Sequence, residues 1–468
     1  MEGAHCNGSR LSSGDRRHMA TRRLDLVVIG TGSAASSVAM PCRKAGWTVA
    51  VIDELPFGGT CALRGCDPKK VLVGNAEAIE WARRLRGKGI RDEGLHIDWP
   101  ELMRFKRSMI AEVSEQKEES FRNAGIEAFH GPARFTDRTT LEVAGQRLEG
   151  RHVVIASGAR PATLGIAGEE LLITSTQFLE LEELPRRIVF VGGGFISFEF
   201  AHVAVRAGAQ VTIVHRGHRP LSLFDPDLVD RLIDKSRTVG IDVRLGTSVT
   251  RVERAEGRLI VHGRDDQKET RIEADLVVHG AGRVPAVDDL DLQAAGIDAA
   301  YGRIKLNEFM QSVSNPAVYA AGDAASLGPA LTPVAGYEGR LVAANLLEGN
   351  HLRPDYSVIP NVVFTIPPLA SVGLTEVAAR QRGLRFRTNF VDTSSWYSSM
   401  RVGETHSGSK VLIDEQTDRI LGAHLLGPAA EEMINLFAMA MRSGTTSAQI
   451  KEMLFAYPTH GSDLAYMV

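Results

Sequence analysis

Two cysteines with four residues between them carry the most chemistry in this chain. They lie in Phe57-Gly58-Gly59-Thr60-Cys61-Ala62-Leu63-Arg64-Gly65-Cys66-Asp67-Pro68-Lys69-Lys70. On the first turns of a helix, thiols at this spacing can close into a disulfide and reopen as a dithiol, one sulfur acting as the attacking nucleophile. A zinc site needs further ligands, and no second Cys pair or His pair completes one, so no metal is expected. Cys6 lies near the N-terminus, and Cys42 falls in a helical stretch where a small buried side chain is the simpler reading. Four cysteines in 468 residues are too few to staple a chain of this length in an oxidising compartment.

The dithiol needs elements to position it, and the sequence holds two copies of one such element. Asp25-Leu26-Val27-Val28-Ile29 runs into Gly30-Thr31-Gly32-Ser33-Ala34-Ala35, and later Ile188-Val189-Phe190-Val191 runs into Gly192-Gly193-Gly194-Phe195-Ile196-Ser197. Each predicted helix ends near a glycine, Gly46 or Gly208, and is followed by a β-branched run, so both segments read as βαβ units. In such a unit the glycines let the backbone approach a pyrophosphate, whose charge is met by unpaired N–H groups at the helix N-terminus. Gly30, Gly32, Ser33 and Ala35 therefore read as binding one dinucleotide, and Gly192, Gly194, Phe195 and Ile196 as binding a second.

The end of the second strand separates the two sites. Asp53 stands 23 residues past Gly30, and the same offset from Gly192 reaches His215, followed by Arg216. A carboxylate accepts hydrogen bonds from ribose hydroxyls, whereas His215, Arg216 and nearby Arg219 favour a 2′-phosphate. The first site suits FAD and the second NADPH, with NADH less favoured.

Length predicts about three domains at roughly 150 residues each. The 54 Lys and Arg against 57 Asp and Glu leave a net charge of −3, so neither nucleic acid nor a membrane is an expected partner, and a small molecule is. No apolar run approaches the roughly 20 residues of a membrane span, and a cytoplasmic protein is expected. Residues 1–23, with Arg10, Arg16, Arg17, Arg22 and Arg23, read as a disordered leader in which Met19 could be the true start.

With these motifs in hand, the chain resembles the pyridine nucleotide–disulfide oxidoreductases, the family of glutathione reductase, lipoamide dehydrogenase and mercuric reductase. The resemblance runs from about Leu24 to the C-terminus. It includes Ala156-Ser157-Gly158, Gly282-Arg283-Val284-Pro285, Tyr319-Ala320-Ala321-Gly322-Asp323, Leu331-Thr332-Pro333-Val334-Ala335, Phe364-Thr365-Ile366-Pro367-Pro368 and Val372-Gly373-Leu374-Thr375-Glu376. It implies a homodimer whose subunits each hold FAD, with NADPH on one flavin face and the redox disulfide on the other. Cys61 is then the interchange thiol and Cys66 the charge-transfer thiol. Lys69 would sit near flavin N5 paired with Glu199, Asp323 after Gly322 would bond the FAD ribitol, and Phe195 would gate the nicotinamide. Gly59, Thr60, Lys70, Ser157, Gly158, Gly282, Arg283 and Thr332 fall on cofactor-binding motifs of the family.

The likeness departs from the family near its end. The family's disulfide reductases carry His-Pro-Thr with a Glu five residues after the His, donated across the dimer, whereas here Tyr457 replaces the His and Ser462 the Glu. A phenol with a pKa of about 10 is a poor base. Three readings stay open: His460 oriented by Asp463 takes over, Tyr457 acts as a weak acid or ligand, or the acceptor needs little acid–base help. The C-terminal cysteine pair expected of mercuric reductases and of the larger thioredoxin reductases is missing. Met40 stands where glutathione reductases place an arginine. Arg64, between the cysteines, could attract an anionic substrate or lower a thiol pKa, with Asp67 opposing it.

The fold expected is α/β: an FAD-binding domain at 24–165, an NAD(P)-binding domain at 166–287, a return to the FAD domain at 288–355 and an α+β dimerisation domain at 356–468. The function expected is NADPH oxidation through FAD and the Cys61–Cys66 pair onto a small disulfide-type acceptor. A flavin reductase of quinones or metal ions, or a lipoamide dehydrogenase-like enzyme, is the alternative.

Overall fold

The computed structural model describes residues 21–265 and 268–468. Residues 1–20 of the expected leader, with Cys6 and Met19, lie outside the described residues. Thr21 to Arg23, expected to close that leader, are instead the first rungs of strand β1 (Thr21–Ile29), in parallel register with Arg147 to Glu149. Arg22 pairs with Glu127 and Arg23 with Glu149. Backbone pairing and cross-strand charges carry this cationic stretch into the sheet, and neither is visible to a reading that looks for an apolar face.

The first unit is a parallel sheet built on β1, β2 (Val49–Asp53), β3 (Glu127–His130) and β4 (Gln146–Ile155), in the order β3-β2-β1-β4. Leu26, Val27 and Val28 are fully buried, as expected of a central strand covered on both faces. Helix α1 (Ser33–Lys44) connects β1 to β2, and α2 (Gly59–Arg64) and α3 (Cys66–Arg84) follow β2. The chain leaves this sheet and later returns to it, through the strand Val318–Ala320 that pairs with the end of β4.

The second unit repeats the pattern with β5 (Arg187–Val191), α4 (Phe195–Arg206), β6 (Gln210–Val214), α5 (Pro226–Thr238), β7 (Ile241–Arg244) and β8 (Leu276–His279). Its order is β7-β6-β5-β8, all parallel. Nearly every residue of α4 is buried, because α3 of the first unit packs across it. After the return strand, α6 (Thr332–Glu348) lies along α1 so closely that a Cβ on Gly339 would stand 2.5 Å from the Ala34 carbonyl oxygen.

The C-terminal unit is an antiparallel sheet of β9 (Asn361–Val363), β10 (Leu369–Gly373), β11 (Phe386–Asp392), β12 (Gly408–Asp414) and β13 (Ile420–Leu426), in the order β9-β10-β13-β12-β11. Helix α7 (Ala430–Ser443) covers it, with Met433 and Phe437 buried and Leu436 and Met441 packed beside them at helical spacing. The architecture is therefore two dinucleotide-binding α/β units and an α+β C-terminal unit. Among the described residues no helix is long and apolar enough to cross a membrane.

Candidate active site

Glycine shapes the first cradle. Gly30 has φ +111°, and a Cβ there would meet the Ala156 carbonyl oxygen at 2.3 Å. Gly59, at φ +78°, faces Gly32 so tightly that its Cβ would lie 2.6 Å from the Gly32 Cα. Gly32 caps α1 without a side chain, which leaves the N–H groups of the first turn, beginning at Ser33 and Ala35, open to an anion. Asp53 closes β2 and accepts from the Thr31 hydroxyl at 2.6 Å. At the far side Gly322, φ +70°, turns the chain into Asp323, whose carboxyl burial pushes upward against the pull of Arg283. Open N–H groups, a carboxylate at each end and backbone that admits no Cβ fit FAD.

The dithiol is not on one helix as expected. Cys61 lies on α2 and Cys66 opens α3, because the chain bends at Gly65, where a Cβ would sit 3.0 Å from the Thr60 carbonyl oxygen. Both cysteines are free thiols. Cys66 Sγ lies 3.7 Å from Thr332 Oγ1, and Cys61 Sγ lies 4.0 Å from Asp67 Oδ1. The bond from Cys61 pulls Cys66 down to about 6, helped by Thr332 and the Lys69 charge and opposed by burial. Cys61 moves up, first because it gives its proton to that bond and then through burial. Arg64 is held down by burial, and the charge that answers it is Asp53.

Behind Cys66, one turn along α3, Lys69 Nζ donates to Glu199 Oε2 of α4 at 2.6 Å. The other carboxylate oxygen accepts the Phe364 N–H at 2.8 Å, and the Lys69 and Lys70 ammonium groups stand 4.9 and 4.3 Å from the Phe364 ring centre. Lys70 is also 3.8 Å from Glu77. Farther along α4, His202 Nδ1 accepts the Ile366 N–H at 3.1 Å, and Arg206 Nε donates to Glu80 of α3 at 3.1 Å. Lys235 bonds the same Glu80 at 2.9 Å and lies 3.4 Å from Glu404, which also pairs with Arg84. Burial first, and then the charges of Arg206 and Lys235, hold His202 well below its usual range.

The second cradle repeats the first. Gly192 has φ +113° and would carry a Cβ 2.3 Å from the Gly280 carbonyl oxygen, and Gly194 caps α4 with no side chain. Phe195, the first residue of α4, is half exposed, and Ile196 behind it is buried. His215 packs under the fingerprint turn: a Cβ on Gly193 would meet its ring at 2.6 Å, and its Nε2 lies 3.1 Å from the Arg219 carbonyl oxygen. Arg216 is exposed and has no ion pair among the described residues. Between the cradles, the Ser157 hydroxyl donates to the Ala286 carbonyl at 2.7 Å and Arg283 to that of Ala159, where Gly158 and Gly282 adopt φ +74° and +117°.

At the C-terminus Tyr457 is 80% exposed. His460 is half buried in a cleft with Thr393, Ser398 and Asp463, held below its usual range by burial and Arg401 against the pull of Asp463. The expected orienting bond is absent: Asp463 accepts from the Ser398 hydroxyl, and no hydrogen bond or ion pair joins it to His460 among the described residues. Sequence reasoning missed Glu80, His202, Arg206, Glu338 and Tyr356. The one signal available was a carboxylate set beside Gly339 and close to Gly336.

The pattern of the Pyridine nucleotide-disulphide oxidoreductase family matches residues 24–339, and that of the family's dimerisation domain matches 359–467. The chain belongs to the pyridine nucleotide–disulfide oxidoreductases. It is 34% identical over 441 residues to the glutathione reductase of Burkholderia cepacia, covering 93% of this chain and 96% of that one. It is 32% identical over 444 residues to the mercuric reductase of Lysinibacillus sphaericus, covering 94% of this chain and 81% of that one. Among solved structures it is similar to the Cu(II) complex of the HOCl-induced flavoprotein disulfide reductase RclA from Escherichia coli, with TM-score 0.86, 27% identity and coverage of 96% and 99%. This oxidoreductase uses FAD and a pyridine nucleotide.

Proposed function

We propose that this oxidoreductase works as a homodimer that takes electrons from NADPH and delivers them, through Cys61 and Cys66, to a small disulfide-type acceptor. The observation that carries the reading is the placement of two free thiols on either side of the Gly65 bend, with Cys66 Sγ 3.7 Å from Thr332 Oγ1 and the Lys69–Glu199 pair one turn behind it. FAD, when bound, supplies a two-electron relay between a nicotinamide and the cysteine pair. Lys69, paired with Glu199, stands one turn behind Cys66. Once deprotonated, Cys61 attacks one acceptor sulfur; the acceptor's S–S bond breaks, a mixed disulfide forms and the first thiolate leaves. Cys66 then attacks Cys61 Sγ, expelling the second thiolate and restoring the Cys61–Cys66 disulfide. Each departing thiolate takes up a proton, and Tyr457 and His460 are the groups offered for that transfer. Asp53 would hold the FAD ribose, and the unpaired Arg216 supports NADPH over NADH.

A second reading is reduction of a thiophilic metal ion as substrate. It is favoured by the exposed phenol of Tyr457 where disulfide reductases need an imidazole, since a metal acceptor leaves no thiolate to protonate, and by relatives that include mercuric reductases. The test is steady-state NADPH oxidation with glutathione disulfide, other small disulfides, quinones and Hg(II), comparing wild type with Cys61→Ser. Disulfide turnover lost in Cys61→Ser supports the first reading. Turnover of quinones alone, unchanged by that substitution, overturns it, and turnover of Hg(II) alone favours the second.

A further inference from the structure

Glu338 is a carboxylate on α6 with 1% of its surface exposed, yet it has a full set of donors. Its Oε2 accepts the Gly322 N–H at 2.7 Å, and its Oε1 accepts the Tyr356 hydroxyl at 2.6 Å. These donors come from two separate stretches: the turn that presents Asp323 and the segment entering the C-terminal unit.

The packing around this carboxylate leaves little freedom. The Tyr356 ring lies flat on Gly328, where a Cβ would fall 2.4 Å from the ring carbon Cε1. The next residue of α6, Gly339, sits against the backbone of α1 at Ala34, in the first turn of the helix whose open N-terminus forms the first cradle. Gly322 itself touches Ala34, its Cβ position lying 3.2 Å from that side chain. Two adjacent residues of α6 therefore fix both walls of the cradle, Gly339 against α1 and Glu338 against the Gly322 turn. A buried carboxylate is costly unless its oxygens are bonded, so the arrangement holds only while both stretches stay on α6.

We propose that Glu338, with Tyr356, is a positioning pair for FAD: it locks the Gly322 turn so that Asp323 faces the cofactor. The proposal rests on the reading of Asp323 as a contact to the FAD ribitol. The Tyr356 segment is in turn tied to the C-terminal unit, because Arg442 of α7 pairs with Asp355 at 2.5 Å and the Asp355 N–H donates to the Tyr337 hydroxyl at 2.9 Å. Flavin retention thus depends on how the C-terminal unit docks, through side chains that touch no reacting atom.

The experiment follows FAD release from the full-length holoprotein as recovery of free-flavin fluorescence on dilution. It compares wild type, Glu338→Gln, Tyr356→Phe, Asp323→Asn and the Glu338→Gln/Asp323→Asn double variant. The glutamine can still accept one bond but turns an amide donor toward the other, while Tyr356→Phe removes only a hydroxyl and keeps the ring on Gly328. The expected result is FAD binding weakened about tenfold or more in Glu338→Gln and Asp323→Asn, and less in Tyr356→Phe. The double variant should be no weaker than about twofold below the worse single variant, as for residues that act through one another. Additive losses in the double variant, or Glu338→Gln and Tyr356→Phe with wild-type retention while Asp323→Asn releases FAD, overturn the proposal. Unchanged retention in Asp323→Asn removes instead the reading of Asp323 on which it rests.

Discussion

Lys69 and Glu199 form a buried ion pair across two domains, 2.6 Å from Nζ to Oε2, with side chains 11% and 2% exposed. The lysine rides on the helix that Cys66 opens and the glutamate on the helix that opens at Phe195, so one contact joins the two halves of the electron path. Removing one partner strands a charge in a site that water does not reach. Glu199→Gln should lower unfolding stability by about 3–5 kcal/mol, and Lys69→Met/Glu199→Leu by less than Glu199→Gln alone. Denaturant unfolding of the holoprotein checks both, and equal losses in the two variants would argue that the pair contributes only packing.

The split of the dithiol has a pH signature. With the Cys66 pKa near 6, its thiolate is present above that pH and is lost as the pH falls through it. Alkylation of the reduced protein should rise with a midpoint near pH 6, and Cys61→Ala, which removes the largest cause of the depression, should move that midpoint upward toward about 8.5. A midpoint unmoved by Cys61→Ala would place the cause elsewhere.

Glu80 answers two cations at once, Arg206 at 3.1 Å and Lys235 at 2.9 Å, and these charges outweigh the burial that pushes its carboxyl upward, leaving it below the ordinary range. A carboxylate depressed in the folded state stabilises it above the unfolded pKa, about 4.3, and that stability is lost as the pH falls further. Glu80→Gln should therefore cost about 3–5 kcal/mol at neutral pH and show a smaller loss in acid, read from unfolding curves at several pH values.

Gly59→Ala should empty the first cradle. The new Cβ would stand 2.6 Å from the Gly32 backbone at φ +78°, and neither strand of backbone can yield. Purified variant should carry less than a tenth of the wild-type flavin, measured by absorbance. Full flavin content would show that the Gly32–Gly59 contact is not the limit on cofactor approach.

Arg216 makes no ion pair among the described residues and is free to meet a 2′-phosphate. Arg216→Glu should reduce the preference for NADPH over NADH by about tenfold or more, through KM for NADPH with little change for NADH, since a carboxylate repels the phosphate and accepts from a ribose hydroxyl. Steady-state kinetics with both nucleotides decide it.

The parts of this molecule that sequence exposes are those set by local chemistry. Gly30, Gly32, Gly192 and Gly194 announce themselves because only glycine admits a pyrophosphate, and the apolar runs at Leu26 and Ile188 because central parallel strands are buried on both faces. Gly65 hid its effect, since one glycine between two helical turns does not reveal that the chain bends there. The Glu80–Arg206–Lys235 cluster and the Glu338–Tyr356 pair were invisible for another reason. Their partners lie 126 and 18 residues apart, and nothing local distinguishes a buried charge from a solvated one. His215 lies beneath Gly193 with its Nε2 3.1 Å from the Arg219 carbonyl oxygen, a placement that its type and offset alone do not give.

The most direct test of the dithiol mechanism is a thiol count. The oxidised holoprotein, mixed anaerobically with one equivalent of NADPH and quenched with an alkylating probe, should gain two modified cysteines per chain, mapped to Cys61 and Cys66, with no gain in Cys61→Ser. NADPH consumed with no new thiol in the wild-type protein would contradict the account and leave the flavin as the terminal donor.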